Sequence, residues 1–362
     1  MAWTKLDRVL AALSGERPDR PPIFDYLIHD GVFELCLGRP VVPGEREAIL
    51  RASSRVLDLC HPMPVAYEPH EEEQPYGGRK VVERWMVWNA HGRRPESEVV
   101  GSVKDDIDRL TAGTHWIQGG YGEGWRSEDE RRHAWSGDMA YISLGLHVPM
   151  LPGRTFEEEF FTLADHPGLC GEWHALQTRA CMANTEARAA AGLSKVAIIW
   201  NDIAIKGGLI YPPHVLERFF YPGLREMVSI LHGHGVKAIF HSDGDVTGIM
   251  DELASCGIDG FNPLEVSAGM EARHFFERYG DRVTLVGGLD AVDVLAFGTP
   301  AEVADATRAL IKEAGPGGRL IMGSSSGQLD GGMPLENLMA YIGAVWGMGA
   351  GELEDALRAQ TA

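Results

Sequence analysis

Cysteine is sparse in this chain and scattered: Cys36, Cys60, Cys170, Cys181 and Cys256, with no C-x-x-C pair among 362 residues. That argues against a disulfide framework and a thiolate zinc cluster, and leaves the cysteines as small buried apolar residues. Long apolar runs are missing as well. None approaches the roughly 20 residues of a membrane-spanning helix, and the opening residues, from Met1 to Arg8, enter an amphipathic helix without the apolar core of a secretion signal. Positive charge is in deficit, with 33 Lys and Arg against 52 Asp and Glu, a net charge of −19. A phosphate backbone or an anionic membrane surface would be repelled, so neither nucleic acid nor membrane is an expected partner. No G-x-G-x-x-G follows the first strand and no P-loop occurs, so nucleotide-binding folds have no positive support. A cytoplasmic protein is the expectation.

What is present is regular alternation. Leu6, Val9, Leu10 and Leu13 follow helical spacing up to Gly15, and Pro21-Pro22 leads into a first strand over 23–27. Residues 66–74 and 79–88 read as the arms of a hairpin turning at Tyr76-Gly77-Gly78, and 119–138 as a long surface loop or lid. From 139 onward, strands are expected over 140–147, 195–200, 237–240, 260–266, 283–287 and 319–322. Helices separate them. One carries a clear start signal at Thr299, Pro300 and Glu302, and the last begins near Pro334. Apolar strands alternating with helices imply a parallel sheet buried on both faces. Length and count favour one domain over 1–362, an α/β (β/α)8 TIM barrel with an N-terminal helical segment and an insertion or lid at about 62–138.

In such a barrel the chemistry sits where strands end. The expected strands end in polar groups repeatedly: Asn201-Asp202 after Trp200, His241-Ser242-Asp243, Glu265, Asp290, Ser324-Ser325-Ser326, and earlier His29-Asp30 and His147. Any single Asp of this kind can equally cap the following helix. Their recurrence on consecutive strands predicts one cavity lined by acids and one or two histidines.

The segments Asn201-Asp202-Ile203-Ala204 with Lys206-Gly207-Gly208, and His241-Ser242-Asp243-Gly244-Asp245, resemble the uroporphyrinogen decarboxylase superfamily, especially its corrinoid and coenzyme M methyltransferase branch. The series continues through Gly257 to Glu265, Gly287-Gly288-Leu289-Asp290 and Pro334-Leu335-Glu336-Asn337, and it opens with Pro18-Asp19-Arg20-Pro21-Pro22. Two departures matter. The decarboxylases carry an arginine-rich motif after the first strand that grips substrate carboxylates. Here that segment reads Asp25-Tyr26-Leu27-Ile28-His29-Asp30-Gly31, which disfavours a porphyrinogen. The zinc methyltransferases use His-x-Cys and a later Cys; here Asp243 and, roughly, Ser326 stand in those places.

The resemblance therefore implies a methyltransferase that demethylates a small methoxylated or N-methylated compound and passes the methyl group to a corrinoid on a partner protein. His241, Asp243 and Asp202 are the expected catalytic residues, and His241, Asp243 and Glu265 the expected ligands of Zn²⁺, a harder site than one with thiolates. Asn201, Asp25, His29, His147, Trp200, Asp290 and Ser326 are expected to line the substrate pocket, with Trp85, Trp88 and Trp200 as an aromatic wall. The alternatives are a metal-free decarboxylase of a small substrate, using Asp202 and His241, and a binding protein that has lost its chemistry. A homodimer is expected by analogy with the family.

Overall fold

Two prolines at 21 and 22 end the approach from the N-terminal helix and deliver extended backbone between two other strands. Ile23 pairs with Met322 and Phe24 with Leu59, both parallel. These contacts close a ring in the structure, a computed structural model that describes residues 3–113 and 124–359. Among the described residues the ring has eight parallel strands: β1 (Tyr26–Ile28, with the bridging Ile23 and Phe24), β2 (Leu59–Cys60), β3 (in two pieces, Ala140–Tyr141 and Leu144–Leu146), β4 (Val196–Trp200), β5 (Lys237–His241), β6 (Gly260–Asn262), β7 (Thr284–Leu289) and β8 (Leu320–Ser324). The first piece of β3 pairs with β2, and the second with β4. Pairing then runs β4 to β5, β5 to β6, β6 to β7 and β7 to β8. This is the (β/α)8 barrel, and its strands are buried as both-sided apolar runs require.

The closure has an electrostatic fastening. Asp58, fully buried just before β2, takes both arms of the Arg20 guanidinium at 2.7 and 2.8 Å and accepts from the Ile23 amide at 3.0 Å. A forked pair backed by a third donor is a geometry in which a buried carboxylate is tolerated.

Local signals account for the helix boundaries. Thr4 and Asp7 form a capping box at the first helix, which ends at left-handed Gly15, and Thr299 with Glu302 forms a second box at Pro300–Glu313. The hairpin region is a three-stranded antiparallel sheet of His70–Gln74, Gly78–Val82 and Val87–Ala90, because the expected second arm turns back at Arg84-Trp85.

Three expectations are corrected. Of the loop expected over 119–138, residues 119–123 lie outside the described residues, and Trp125–Ser136 is a helix threaded with Arg–Glu pairs one turn apart. The strand expected over 260–266 stops at Asn262, since Pro263 has no N–H to give the ladder. The helix Leu335–Trp346 is not the last; Ala350–Ala359 follows it.

Candidate active site

The loops leaving β4 and β5 are stitched together rung by rung. The Asn201 amide donates to the His241 carbonyl at 3.0 Å, the Ile203 amide to Ser242 Oγ at 3.1 Å, and the Asp243 amide to Asp202 Oδ1 at 3.2 Å. Gly244 completes the turn. Its φ of +84° suits glycine, and a Cβ there would stand 2.4 Å from the Ile205 amide nitrogen. The β6 side is tied in as well, with the Ser242 amide donating to the Asn262 carbonyl at 3.0 Å and the Gly244 amide to Glu265 Oε2 at 2.7 Å.

This stitching gathers Asp202, His241 and Asp243, whose ligand atoms all lie within 4.8 Å of one another. His241 Nε2 stands 3.8 Å from Asp202 Oδ1 and 3.9 Å from Asp243 Oδ1. The imidazole is largely buried, while the two carboxylates remain more than half exposed at the mouth.

The tautomer of His241 is fixed from behind. Asn262 Nδ2 donates to the Val286 carbonyl at 2.8 Å, which turns Asn262 Oδ1 toward His241 Nδ1 at 2.7 Å. An amide oxygen can only accept, so Nδ1 carries a hydrogen, and Nε2 is the ring nitrogen turned toward the acids. An imidazole whose far N–H is held by a neighbour is the usual setting of a metal-binding histidine. Two carboxylates and one imidazole nitrogen form an ordinary donor set for Zn²⁺ and leave coordination positions open, so the residues fit the ion.

Burial in the crowded mouth pushes the Asp243 carboxyl above the usual carboxylate range. His241 opposes that shift, and Asp202 and Glu265 reinforce it. His147 reaches the same mouth from the end of β3. The surrounding walls lower its pKa, and the Asp202 charge partly restores it. Trp200, level with His241 in the β4–β5 register, meets the His241 ring edge-on at 5.0 Å between centroids. Ser326 lies beside the mouth: its Oγ contacts the Gln328 carbonyl at 3.2 Å, and the adjoining Gly327 faces the His241 ring.

Other expected pocket residues serve the scaffold. Asn201 uses both ends of its amide on the Val148 backbone, at 2.9 and 3.0 Å, clamping β3 to β4. Asp25 is 1% exposed and binds Ser324. His29 caps the helix Asp30–Leu37 through Nδ1, and its Nε2 donates to the Met333 carbonyl at 2.9 Å. Asp290 caps the turn after β7 through the amides of Val292 and Asp293. Glu265 is outside the gathered trio, and its oxygens hold Gly244 and Ser267. Because Pro263 ends β6 early, the inward position beside His241 falls to Asn262, not to Glu265. The aromatic wall does not form as expected. Trp85 packs on Phe33 at 5.0 Å, and Trp88 is exposed on the outer sheet with its indole N–H on Glu83.

Two residues of the site escaped the sequence reading. Asn262 was hidden by the overlong strand. His61, directly after β2, satisfies the same strand-end rule, but its strand is only two residues long and carries no periodicity to announce it. Its Nδ1 donates to the Ile142 carbonyl at 2.8 Å, and its ring stands 5.1 Å from that of Trp200. Burial pushes its pKa down to about 4.

A family model described as Uroporphyrinogen decarboxylase (URO-D) matches residues 149–347, more than half of the chain and all of the β4–β8 half of the barrel. A methylated-thiol–coenzyme M methyltransferase of Methanosarcina mazei is 32% identical over 106 residues, which is 29% of this chain and 26% of that relative. The matched stretch thus spans about a quarter of that relative's length. A solved structure of a methyltransferase from Methanosarcina mazei superposes with a TM-score of 0.61 at 17% identity, covering 95% of this chain and 99% of the other, and so shares the fold. No helix among the described residues is long and apolar enough to cross a membrane.

Proposed function

This chain belongs to the uroporphyrinogen decarboxylase family, and from that premise we propose that it is a methyltransferase. It demethylates a small methoxylated or N-methylated compound and delivers the methyl group to a corrinoid on a partner protein. One observation carries the reading: Asp202, His241 and Asp243 converge at the mouth with His241 Nε2 turned toward the two acids. Asp202, His241 and Asp243 would hold a divalent cation, Zn²⁺ in this reading. When bound, such an ion draws electron density from the heteroatom that gives up its methyl group.

The chain's own residues do the rest. Asn262 holds the Nδ1 side of the ring and so keeps Nε2 aimed at the acids. The stitched β4 and β5 loops hold the two carboxylates 3.8 and 3.9 Å from Nε2. Trp200 walls one side and keeps water from the imidazole edge. The methyl carbon leaves without the bonding electron pair, which stays on the heteroatom, and bonds instead through an electron pair of the reduced corrinoid acceptor; the demethylated product takes up a proton from water. The relative named for methylated thiols and coenzyme M supports the reaction class. The acids at 202, 243 and 265 disfavour a carboxylated substrate, so methyl transfer is preferred to decarboxylation.

The test is formation of methylcobalamin from 2-methoxyphenol and reduced cobalamin by the protein as isolated, with metal content measured on the same sample. We expect turnover that is lost in His241→Ala, lost on chelation and restored by zinc. Turnover undiminished in His241→Ala would remove this centre from the reaction.

A further inference from the structure

A cavity of about 360 Å³ opens at the far end of the barrel from the trio, where strands begin rather than end. It lies between residues 17–21, which enter β1, the turn Gly315–Gly317 before β8, and the helices Pro300–Glu313 and Leu335–Trp346. Cavities that hold small molecules begin at about 300 Å³. Ile311, Leu320, Val345 and Trp346 give this one an apolar wall, and Arg17, Arg20, Arg308 and Asp19 also line it. The charges around it do not cancel. Asp19 gives both oxygens to Arg8, at 2.6 and 2.9 Å. Arg20 is held by Asp58, and its guanidinium carbon lies over the Trp346 ring at 5.3 Å. Arg308 shares Asp305, one turn back, at 2.7 Å. Arg17 has neither an ion pair nor a hydrogen bond to its side chain among the described residues. The segment that carries it is pressed against the start of β8: a Cβ on Gly318, whose φ is +68°, would stand 2.8 Å from the Arg17 Cα. One positive charge is therefore left without a counter-charge beside an apolar hollow, in a chain whose net charge is −19.

We propose that this cavity is a second binding site, for a small monoanion with an apolar body: a carboxylate that pairs with Arg17 while its hydrocarbon part lies against Ile311, Val345 and Trp346. A single negative charge restores the local balance, and the guanidinium fork matches a carboxylate. A neutral ligand leaves Arg17 unpaired. An inorganic anion leaves the apolar wall wet. A dianion brings a charge that no cation here is free to meet, since Arg20 and Arg308 are already paired. The acids at the mouth repel the same ligand, so the two ends of the barrel sort compounds by charge.

The experiment titrates the full-length protein by calorimetry with 4-methylbenzoate, with 4-methylbenzamide as its neutral counterpart and inorganic phosphate as an anion without an apolar body. The wild type should bind the benzoate with a Kd of about 1 mM, ordinary for a ligand of this size. The amide and phosphate should each bind about tenfold more weakly, the amide because it forfeits one charge-assisted hydrogen bond. Arg17→Ala should lose the preference for benzoate over amide, and Arg17→Lys should recover part of it. Ala344→Phe fills the cavity and leaves Arg17 in place, and should bind neither compound. The Trp346 indole signal, assigned by its loss in Trp346→Phe, should move in ¹H–¹⁵N spectra as benzoate is added. His241→Ala, altered at the opposite end, should bind benzoate as the wild type does. Should Ala344→Phe not fold, Arg17→Ala decides, because Arg17 is exposed and its truncation disturbs no packing. Absence of benzoate binding, equal binding of the amide, binding of phosphate alone, or a preference that persists in Arg17→Ala overturns the assignment. So does loss of binding in His241→Ala, which would move the ligand to the mouth. Methylcobalamin formation is read separately, so failure of that activity leaves this site standing and failure of this site leaves the reaction.

Discussion

Replacing Asp25 by Asn should stabilise the protein, and increasingly so as the pH rises. Asp25 is 1% exposed, and no ion pair offsets its charge among the described residues. Its oxygens lie 3.1 and 3.0 Å from the Ser324 amide and 2.7 Å from Ser324 Oγ. Ser324 Oγ also lies 2.9 Å from the Gln328 carbonyl, which can only accept. With the single hydroxyl proton given to Gln328, the short contact to Asp25 is satisfied by a proton on the carboxyl. Burial accordingly raises the Asp25 pKa from 3.8 to about 7, against the smaller opposing pull of Ser324. Below pH 3.8 the carboxyl is protonated in both folded and unfolded chains and costs nothing. As the pH climbs, the unfolded chain ionises while the fold holds its proton, and stability falls by about 1.4 kcal/mol per unit until the group ionises in the fold near 7. The full loss is about 4 kcal/mol, of which roughly 3 kcal/mol falls between pH 5 and 8. Asparagine keeps the shape, accepts from the Ser324 amide, donates to Ser324 Oγ and does not titrate. The difference in melting temperature between Asp25→Asn and wild type should therefore widen in favour of the variant by roughly 3 to 4 °C from pH 5 to pH 8, and then level off. A difference that stays constant across that range would refute the neutral buried carboxyl and the argument from Ser324 with it.

Asn262→Leu removes the acceptor that fixes the His241 tautomer, and zinc affinity measured by chelator competition should drop about 10- to 100-fold. Asn262→Asp, which keeps an acceptor at that position, should lose less; an unchanged affinity in Asn262→Leu would discount the tautomer argument. Gly145→Ala sets a methyl group 2.7 Å from His61 Nε2 and 2.8 Å from its Cε1, atoms of a rigid ring. It should cost about 1–3 kcal/mol of stability and alter the Trp200 fluorescence, and a variant as stable as wild type with an unchanged spectrum would mean that the His61 and Trp200 rings are not confined as described.

Much of this barrel was legible in advance because its signals are local. Thr299 and Glu302 start a helix whatever surrounds them, and apolar runs such as Val196 to Trp200 announce strands buried on both faces. The order of strands and the polar residues at their ends followed, and with them the trio's members Asp202, His241 and Asp243. The short elements were not legible. A strand of two residues before His61 carries no periodicity, and Pro263 shortens β6 by a rule that an apolar run obscures.

The sequence by itself determined the chemical inventory: which side chains stand at strand ends, and that acids and histidines predominate there. Only the tertiary structure decided their employment. A carboxylate after a strand becomes a scaffold clamp, a helix cap or a ligand according to which backbone amides reach it first. Asp290 is taken by Val292 and Asp293, Glu265 by Gly244, and Asp25 by Ser324. Asp202 and Asp243 keep free oxygens because loop stitching spends backbone groups rather than most of their lone pairs. That allocation depends on register between strands far apart in the chain, so no local pattern of residues encodes it.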